Sequence, residues 1–257
     1  MTKTLAPSRM PAASPSPRQP LTPARIAEAA LRLIDRDGLD ALSMRKLGLE
    51  LGVEAMALYH HVANKGRVLD AVMDLLVQEI EIPPPGSMPT LERLRQALRS
   101  YRAIALRHPH AFVLLATRRF NSDGTFAVYE RLLQAFAELG LPPQRAAWWF
   151  RATGTLASGT GLADIASREL EPNATPLTLQ GAASSAAQAA ALPPHVAAVA
   201  PFLAAERLDE AFEFALDQFM DALERDVRAL AVPAATGRRS RGRAGKPGPA
   251  LTPDRRR

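Results

Sequence analysis

The chain has 257 residues, carries a formal net charge of +6 and contains no cysteine. The absence of cysteine excludes a disulfide framework, cysteine-ligated zinc and thiol catalysis, and it suits the reducing cytoplasm, where we expect the protein to act. Hydrophobic residues make up 47% of the sequence but aromatic residues only 5%. This alanine- and leucine-rich composition predicts an all-α fold, and no uncharged apolar run reaches the roughly 18 residues of a membrane span.

The first predicted segment is a disordered arm over residues 1–20, rich in proline and serine. Its arginine- and serine-rich, acid-free composition is also that of a transit peptide, but the amphipathic apolar spacing of such peptides is missing. Residues 1–21 carry a net charge of +3 and residues 233–257 one of +7, which leaves −4 for residues 22–232. The positive charge is therefore predicted to lie on the two arms, around a mildly acidic folded part.

Residues 21–82 are predicted to form a domain of short helices. Thr22 before Pro23 is typical of a helix start, and Ser43 and Gly52 are typical of the cap and the end of a second helix. Apolar residues at helical spacing extend these signals along the segment. The predicted helices end at Asp37 and at Gly52, cover Glu54–Val62, and run from Lys65 to Pro83.

The third of these helices carries an unusual set of side chains. At about 100° per residue, Ala55, Leu58 and Val62 fall on one side. The other sides carry Met56, Ala57, Tyr59 and His60, with Glu54 and His61 on the flanks. A short helix, a glycine turn and a second short helix with an outward polar side form a helix-turn-helix, whose second helix fits a major groove about 12 Å wide. The pattern therefore predicts a DNA-binding surface.

Two other roles for these side chains stay open. Tyr59 can pack against Leu42 or Leu69 and serve the core alone. The adjacent pair His60 and His61 suggests a metal site, but neighbours on a helix point about 100° apart and no third ligand lies nearby in the sequence, so we expect no metal and no cofactor.

Residues 22–82 resemble the DNA-binding domain of the TetR family of repressors. The resemblance lies in DGLDALSMRKLGLELGV, then ALYHHVANK, and above all in the family-specific pattern L-Y-x-H-V-x-N-K that ends at Lys65. It implies that Arg45 contacts a base or the backbone, that Tyr59 and Lys65 contact phosphate, and that His61 contacts DNA near the end of the recognition helix. The full predicted DNA-binding set is Arg45, Glu54, Met56, Ala57, Tyr59, His60, His61 and Lys65, of which Met56, Ala57 and His60 vary with operator sequence in the family.

Residues 88–232 are again predicted to be helical, and their length and the connection 170–195 resemble the tetracycline-repressor type of C-terminal domain. The resemblance implies a regulatory domain that binds a small effector and forms a homodimer. Candidate effector-binding residues are polar or aromatic groups on apolar helices, since a pocket needs mostly apolar walls and a few polar groups. They are Tyr101, His108, Phe112, Leu115, Arg119, Phe126, Trp148, Trp149 and Arg151, although His108 before Pro109 also has the pattern of a helix end.

The predicted dimer interface lies on the two longest helices, over residues 144–168 and around residues 208–227. The first carries a ridge of small residues, which lets two helices approach closely, and the second exposes more apolar positions than one core side needs. The predicted interface residues are Gly154, Ala157, Ser158, Gly161, Phe212, Leu216, Phe219 and Leu223. The alternative is that these residues pack only within one chain.

These patterns predict a repressor that an effector releases from a palindromic operator, with the helix from Lys65 as the lever between the two domains. Two other classes stay open. An architectural DNA-binding protein would use the basic arms, and a helical enzyme would need a catalytic motif that the sequence does not show. The tail 233–257 is predicted to be disordered, and it either attracts phosphate without sequence preference or places its Arg241-Gly242-Arg243 segment in a minor groove.

Overall fold

The structure of the chain is a computed structural model that describes residues 20–118, 122–169, 193–203 and 205–231. In these ranges it is helical without strands, which confirms the all-α prediction. The α-helices are α1 Pro23–Asp37, α2 Met44–Leu51, α3 Ala55–Tyr59, α4 Lys65–Gln78, α5 Thr90–Arg107, α6 Pro109–Thr117, α7 Asp123–Glu138, α8 Pro143–Glu169, α9 Pro194–Val199 and α10 Leu208–Ala231. The predicted arm at residues 1–20, apart from Pro20, residues 170–192 of the predicted connection 170–195, and the tail 233–257 lie outside the described residues.

Side-chain caps start three of the first four helices, and two of these caps, Thr22 and Ser43, are those that the sequence predicts. The side chains of Thr22, Ser43 and Asn64 each accept a hydrogen bond from the backbone N–H three residues on, at 3.2, 3.2 and 3.0 Å. Such a cap stabilises a helix by about 1 kcal/mol. Gly52 ends α2 with φ 69°, a left-handed conformation that favours glycine, and this turn directs the chain from α2 into α3.

The DNA-binding helices share one apolar core. Ile26 and Ile34 of α1, Leu47 of α2 and Leu58 of α3 are fully buried. Gly48 permits the close contact between α2 and α3, because a Cβ atom there would lie 2.8 Å from the carbonyl oxygen of Val53. The buried Leu58 confirms the inward side predicted for the third helix.

The fourth helix is shorter than predicted. The sequence predicts that it reaches Pro83, but it ends at Gln78. Ile80 and Ile82 are both buried outside the helix, and the Arg93 guanidinium donates a hydrogen bond of 2.9 Å to the Pro83 carbonyl oxygen. The chain leaves α4 early because these contacts hold residues 79–83 against α5, so this segment is packed and is not a free linker.

The core of the first four helices continues into the regulatory helices, because α4 packs against both α6 and α7, and α1 packs against α6. A second apolar core lies between α5, α7, α8 and α10. None of the helices in the described ranges is long and apolar enough to cross a membrane.

Candidate DNA-binding surface and effector cavity

The predicted recognition helix presents its variable side chains to solvent. Met56 is 70% exposed and Tyr59 45% exposed, and His60 and His61 directly after the helix are exposed too. Ala57 is half-buried and Glu54 is exposed at the N-cap position. Since Leu58 and Val62 hold the inner side, the outer side chains are available for a partner.

Two cations flank this helix on the neighbouring elements. Arg45 is exposed in the first turn of α2, and Lys65 is exposed as the first residue of α4. Lys65 follows the N-cap Asn64, so its charge adds to the positive end of the helix dipole, where anions bind. The arrangement of helix, turn and helix with flanking cations can contact base edges and phosphates.

A cavity of about 370 Å³ lies between α4, α5, α6, α7 and α8. Of the predicted effector-binding residues, Tyr101, Leu115 and Arg151 line it. Gly154, Ala157 and Ser158, which the sequence predicts at the dimer interface, line it as well. Other lining residues are Val77, Ile80, Ala97, Leu98, Ala116, Arg118, Val128, Tyr129, Leu132, Phe150, Thr153 and Thr155.

Sequence reasoning missed the contributions of α7 and of the inner side of α8. Tyr129 and Phe150 meet edge to face with ring centroids 4.8 Å apart, and they form one wall of the cavity. Aromatic residues on facing helices are the signal that points to this wall, but the same signal is typical of a solid core. Only the packing of five helices around an unfilled space distinguishes the two.

Two hydroxyl groups meet at another wall of the cavity. The Tyr101 hydroxyl and Ser158 Oγ are 3.1 Å apart. Burial raises the pKa of Tyr101, against the hydrogen bond to Ser158, and burial likewise raises the pKa of Tyr129. Both phenols therefore stay protonated and neutral near pH 7.

The remaining predicted effector-binding residues do not line the cavity. Phe112 is fully buried behind it, edge-on to Tyr101 at 5.4 Å. Phe126 is 54% and Trp148 is 53% exposed on other surfaces. Trp149 donates its indole N–H to Asp226 at 2.7 Å and packs on Phe219, so it joins α8 to α10. Arg119 lies outside the described residues.

His108 is a helix end, as its sequence pattern indicates, and it also joins the two domains. Its Nδ1 lies 2.7 Å from Asp35 Oδ2 of α1, and its Nε2 lies 3.2 Å from Glu79 Oε1 just after α4. Arg107 adds an ion pair of 3.0 Å with Glu79. The ring thus connects the start of α6 to α1 and to the residue that follows α4. His108 therefore lies where the two domains meet and not in the cavity.

Most of the predicted dimer residues are packed inside the chain. Phe212, Leu216 and Leu223 are buried in the core between α5, α8 and α10, and Phe219 packs on Trp149. Gly161 meets the ring of Phe112 of the same chain. These side chains have little surface left for a second copy.

The outer side of α8 and α10 carries a shallow groove instead. Trp148 and Ala152 of α8 line it together with Ala222, Arg225 and Ala229 of α10. The Arg145 guanidinium lies 5.5 Å from the centroid of the Trp148 ring, and Trp148 remains 53% exposed. An exposed tryptophan beside small residues is a surface to which another helix can pack closely.

Metal binding has no support from side-chain geometry in the described part of the chain. Within it, no three His, Cys, Asp or Glu side chains are grouped so that they could hold a metal ion.

Family profiles match two consecutive parts of the chain. The profile "Bacterial regulatory proteins, tetR family" matches residues 26–72, and the profile "Tetracyclin repressor-like, C-terminal domain" matches residues 83–227.

Two curated relatives are similar over about half of the chain's length. The chain is 35% identical over 120 residues to an HTH-type transcriptional regulator of Saccharopolyspora erythraea, a match that covers 47% of this chain and 51% of the relative. It is 33% identical over 133 residues to the HTH-type transcriptional repressor DrrR1 of Streptomyces coeruleorubidus, which covers 50% of this chain and 48% of the relative. The matches thus span about half the length of these two relatives.

A solved structure is similar over nearly its whole length. The Streptomyces coelicolor TetR family protein ActR in complex with actinorhodin matches with a TM-score of 0.69 and 28% identity, over 81% of this chain and 99% of ActR.

Proposed function

The chain belongs to the TetR family of bacterial regulatory proteins, and from this we propose that it is a transcriptional repressor that a small-molecule effector releases from a palindromic operator. Its activity is binding and not catalysis. The observation that carries the proposal is the exposed outer side of α3, with Met56, Tyr59 and His60 above a buried Leu58. If these side chains served only to pack the core, they would be buried and not exposed to solvent.

The cavity supports the effector part of the proposal. It has mostly apolar walls and a few polar groups, as small-molecule sites do. It also touches the DNA-binding domain directly, because Val77 of α4 lines it. The related ActR was solved with actinorhodin, and we propose that this cavity takes the effector of the present chain. An effector that favours a different position of α4 would shift the population away from DNA.

We propose that the DNA-binding residues act in two ways. Lys65 neutralises phosphate whatever the sequence, whereas His60 and Met56 read base edges. An architectural protein would show only the first behaviour. Selection of bound duplexes from a random pool at physiological salt distinguishes the two classes, and we expect one enriched inverted repeat with half-sites about 10 base pairs apart.

Variants of these residues test the division of roles. Lys65→Ala is expected to weaken binding to all duplexes alike and to reduce the slope of log affinity against log salt by about one. His60→Ala is expected to relax the preference at one position of each half-site, with a cost of about 1–3 kcal/mol at that base pair. Titrations of selected and scrambled duplexes at several salt concentrations measure both effects.

The matched control is Arg228→Ala, which removes one exposed cation from α10, far along the chain from the recognition helix. It should leave affinity and salt slope unchanged. Equal losses in Lys65→Ala and Arg228→Ala would mean that only net charge matters, and an absence of any enriched repeat would contradict the operator proposal.

We propose further that the chain forms a homodimer through the groove on α8 and α10. A palindrome is read by two copies related by a two-fold axis, and the groove provides an exposed tryptophan beside alanines. Two facing copies would form a four-helix interface.

Trp148→Glu is therefore expected to convert the dimer to a monomer, because it places a charge where an apolar anchor meets the partner. Sedimentation velocity over a range of protein concentrations measures the change. Phe126→Glu is the control, since Phe126 is equally exposed but lies on α7 away from the groove. A dimer that survives Trp148→Glu and dissociates with Phe126→Glu would place the interface elsewhere.

A further inference from the structure

The charged side chains that line the cavity are all positive. Arg118 and Arg151 line the cavity, and none of its described lining residues is an aspartate or a glutamate. Arg151 has no carboxylate partner among the described side chains, and it is exposed at the cavity's edge. A guanidinium donates hydrogen bonds and accepts none, so these two groups favour a negatively charged or strongly accepting ligand.

The hydroxyl groups that line the cavity have fewer free hydrogen-bond donors for a ligand than the two arginines. Thr153 Oγ1 donates to the Trp149 carbonyl oxygen at 2.8 Å, and Thr155 Oγ1 donates to the Arg151 carbonyl oxygen at 3.0 Å. Their protons are used within α8. The pair Tyr101 and Ser158 likewise uses one of its two protons internally. Most of the donor capacity that faces the cavity is therefore on the two arginines.

The aromatic side chains around the cavity favour a ligand that contains a flat ring. Tyr129 meets Phe150 edge to face at an interplanar angle of 78°, and Tyr101 meets Phe112 in the same way at 79°. These edge-to-face pairs fix the orientation of the cavity's aromatic walls. A flat ring can stack on such walls or meet their edges with good geometry. Between the rings lie small residues such as Gly154 and Ala157, which leave room for a ligand.

Arg118 also has a partner outside the cavity. Its Nη2 donates to Asp70 Oδ1 of α4 at 2.9 Å, and Asp70 lies a little more than one helical turn after Lys65. Both side chains are about one-third exposed, so the ion pair is partly hydrated and contributes at most modestly to stability. Because this ion pair is weak, Arg118 can leave Asp70 for a ligand that binds its guanidinium more strongly. The same guanidinium thus faces the cavity and the helix that begins at the DNA-binding surface.

We propose that the cavity takes an aromatic anion, and that the anion competes with Asp70 for the Arg118 guanidinium. The inference rests on the proposed function, because it assumes that this cavity is the effector site. When the anion binds, α4 loses one of its ties to the end of α6, and Asp70 keeps its ion pair with Arg67, at 3.7 Å. The reciprocal consequence is that DNA binding, if it favours the tied position of α4, weakens the affinity for the anion.

Two fluorescent probes of the same ring skeleton test the charge selection. The anionic probe is 8-anilinonaphthalene-1-sulfonate, and the neutral one is N-phenyl-1-naphthylamine, which lacks only the sulfonate. Both become brighter in apolar sites, so each can be titrated into the full chain. Gly154→Phe adds a large ring at a residue that lines the cavity and where a Cβ atom meets nothing within 4 Å. It is expected to abolish most binding of both probes.

Variants of Arg118 test whether its guanidinium selects the anionic probe. Arg118→Gln is expected to weaken binding of the sulfonate probe roughly tenfold or more, the size of a lost hydrogen bond to a charged group, and to change binding of the neutral probe little. Arg118→Lys keeps the charge and should retain part of the preference. It also provides a second measurement if the glutamine variant folds poorly.

The aspartate variants test the competition. Asp70→Asn removes the competing charge, so the sulfonate probe should bind about 1.5- to 5-fold more tightly. Asp74→Asn is the matched control, since Asp74 lies one turn further along α4 and accepts a hydrogen bond from Ser122 and not from Arg118. It should leave the affinity for both probes unchanged.

Each contrary result has a separate meaning. If both probes bind in the cavity and Arg118→Gln weakens them equally, the anion proposal is overturned and the effector cavity stands. If Asp70→Asn has no effect on the sulfonate probe, or Asp74→Asn has the same effect, the competition is overturned. If neither probe binds, or Gly154→Phe leaves binding intact, the cavity is not the binding site and both this inference and the effector part of the proposed function fail.

Discussion

Replacement of Arg102 by methionine is expected to destabilise the regulatory domain by about 3–5 kcal/mol, the cost of leaving one partner of a buried ion pair alone. Arg102 of α5 donates from Nε to Asp164 of α8 at 2.5 Å and from Nη2 to Asp209 of α10 at 2.7 Å. Asp164 is only 3% exposed. Without the guanidinium, its carboxylate must stay charged in an apolar surrounding or take up a proton.

The arginine holds three helices together at this point. Burial by itself lowers the pKa of Arg102, but the hydrogen bonds to Asp164 and Asp209 outweigh burial and raise that pKa above its usual value. The guanidinium also lies 4.5 Å from the ring centroid of Phe212, which adds a cation–π contact. The Arg102 guanidinium is therefore charged at every pH at which the protein is folded. A substitution that removes it breaks the contacts between the three helices.

Urea denaturation at a fixed protein concentration measures the effect. The double variant Arg102→Met with Asp164→Leu removes both charges, and it should recover most of the lost stability because no unpaired charge remains. Arg207→Met is the control, since Arg207 pairs with Glu210 on the exposed surface and should cost less than about 1 kcal/mol. A cost as small for Arg102→Met as for Arg207→Met would show that Asp164 is hydrated.

Gly161→Ala is expected to lower stability although alanine is the better helix former. A Cβ atom at Gly161 would lie 2.5 Å from Cζ of Phe112 and 3.0 Å from Cβ of Ala105. Phe112 is fully buried and packs edge-on against Tyr101, so the added methyl group forces a buried aromatic ring to shift within the core. Overpacking of this kind costs about 1–3 kcal/mol, more than the roughly 1 kcal/mol that alanine contributes over glycine inside a helix.

Gly154→Ala on the same helix is the matched control. Its added methyl group meets nothing within 4 Å, so we expect stability to rise by about 0.5–1 kcal/mol. Phe112→Leu should relieve part of the cost of Gly161→Ala, a coupling that a double-mutant cycle measures. An equal gain in stability for Gly154→Ala and Gly161→Ala would contradict the close contact between Gly161 of α8 and Phe112.

Local signals predicted the helix starts and the recognition surface well. The caps at Thr22 and Ser43 and the turn at Gly52 depend on neighbours within a few residues, which the sequence displays directly. Membership of the TetR family follows from the same short segment and is confirmed by the profile matches over residues 26–72 and 83–227.

The sequence could not assign the inner and outer sides of α8. This helix is surrounded by neighbours and has no single apolar stripe, so helical periodicity does not say which neighbour each residue meets. The sequence predicts Ala157 and Ser158 at the dimer interface, whereas in the structure they line the cavity. Gly161, one turn on, meets Phe112.

The sequence by itself thus determined the all-α class, the helix-turn-helix and the exposure of Met56, Tyr59 and His60, because these depend on local propensity and on one amphipathic period. Only the tertiary structure decided where the cavity lies, that His108 joins the two domains, and that Arg118 is shared between the cavity and Asp70. Those features bring together residues up to 81 positions apart, on α1 and on α4 to α8. Their positions follow from how the helices pack, which no local pattern encodes.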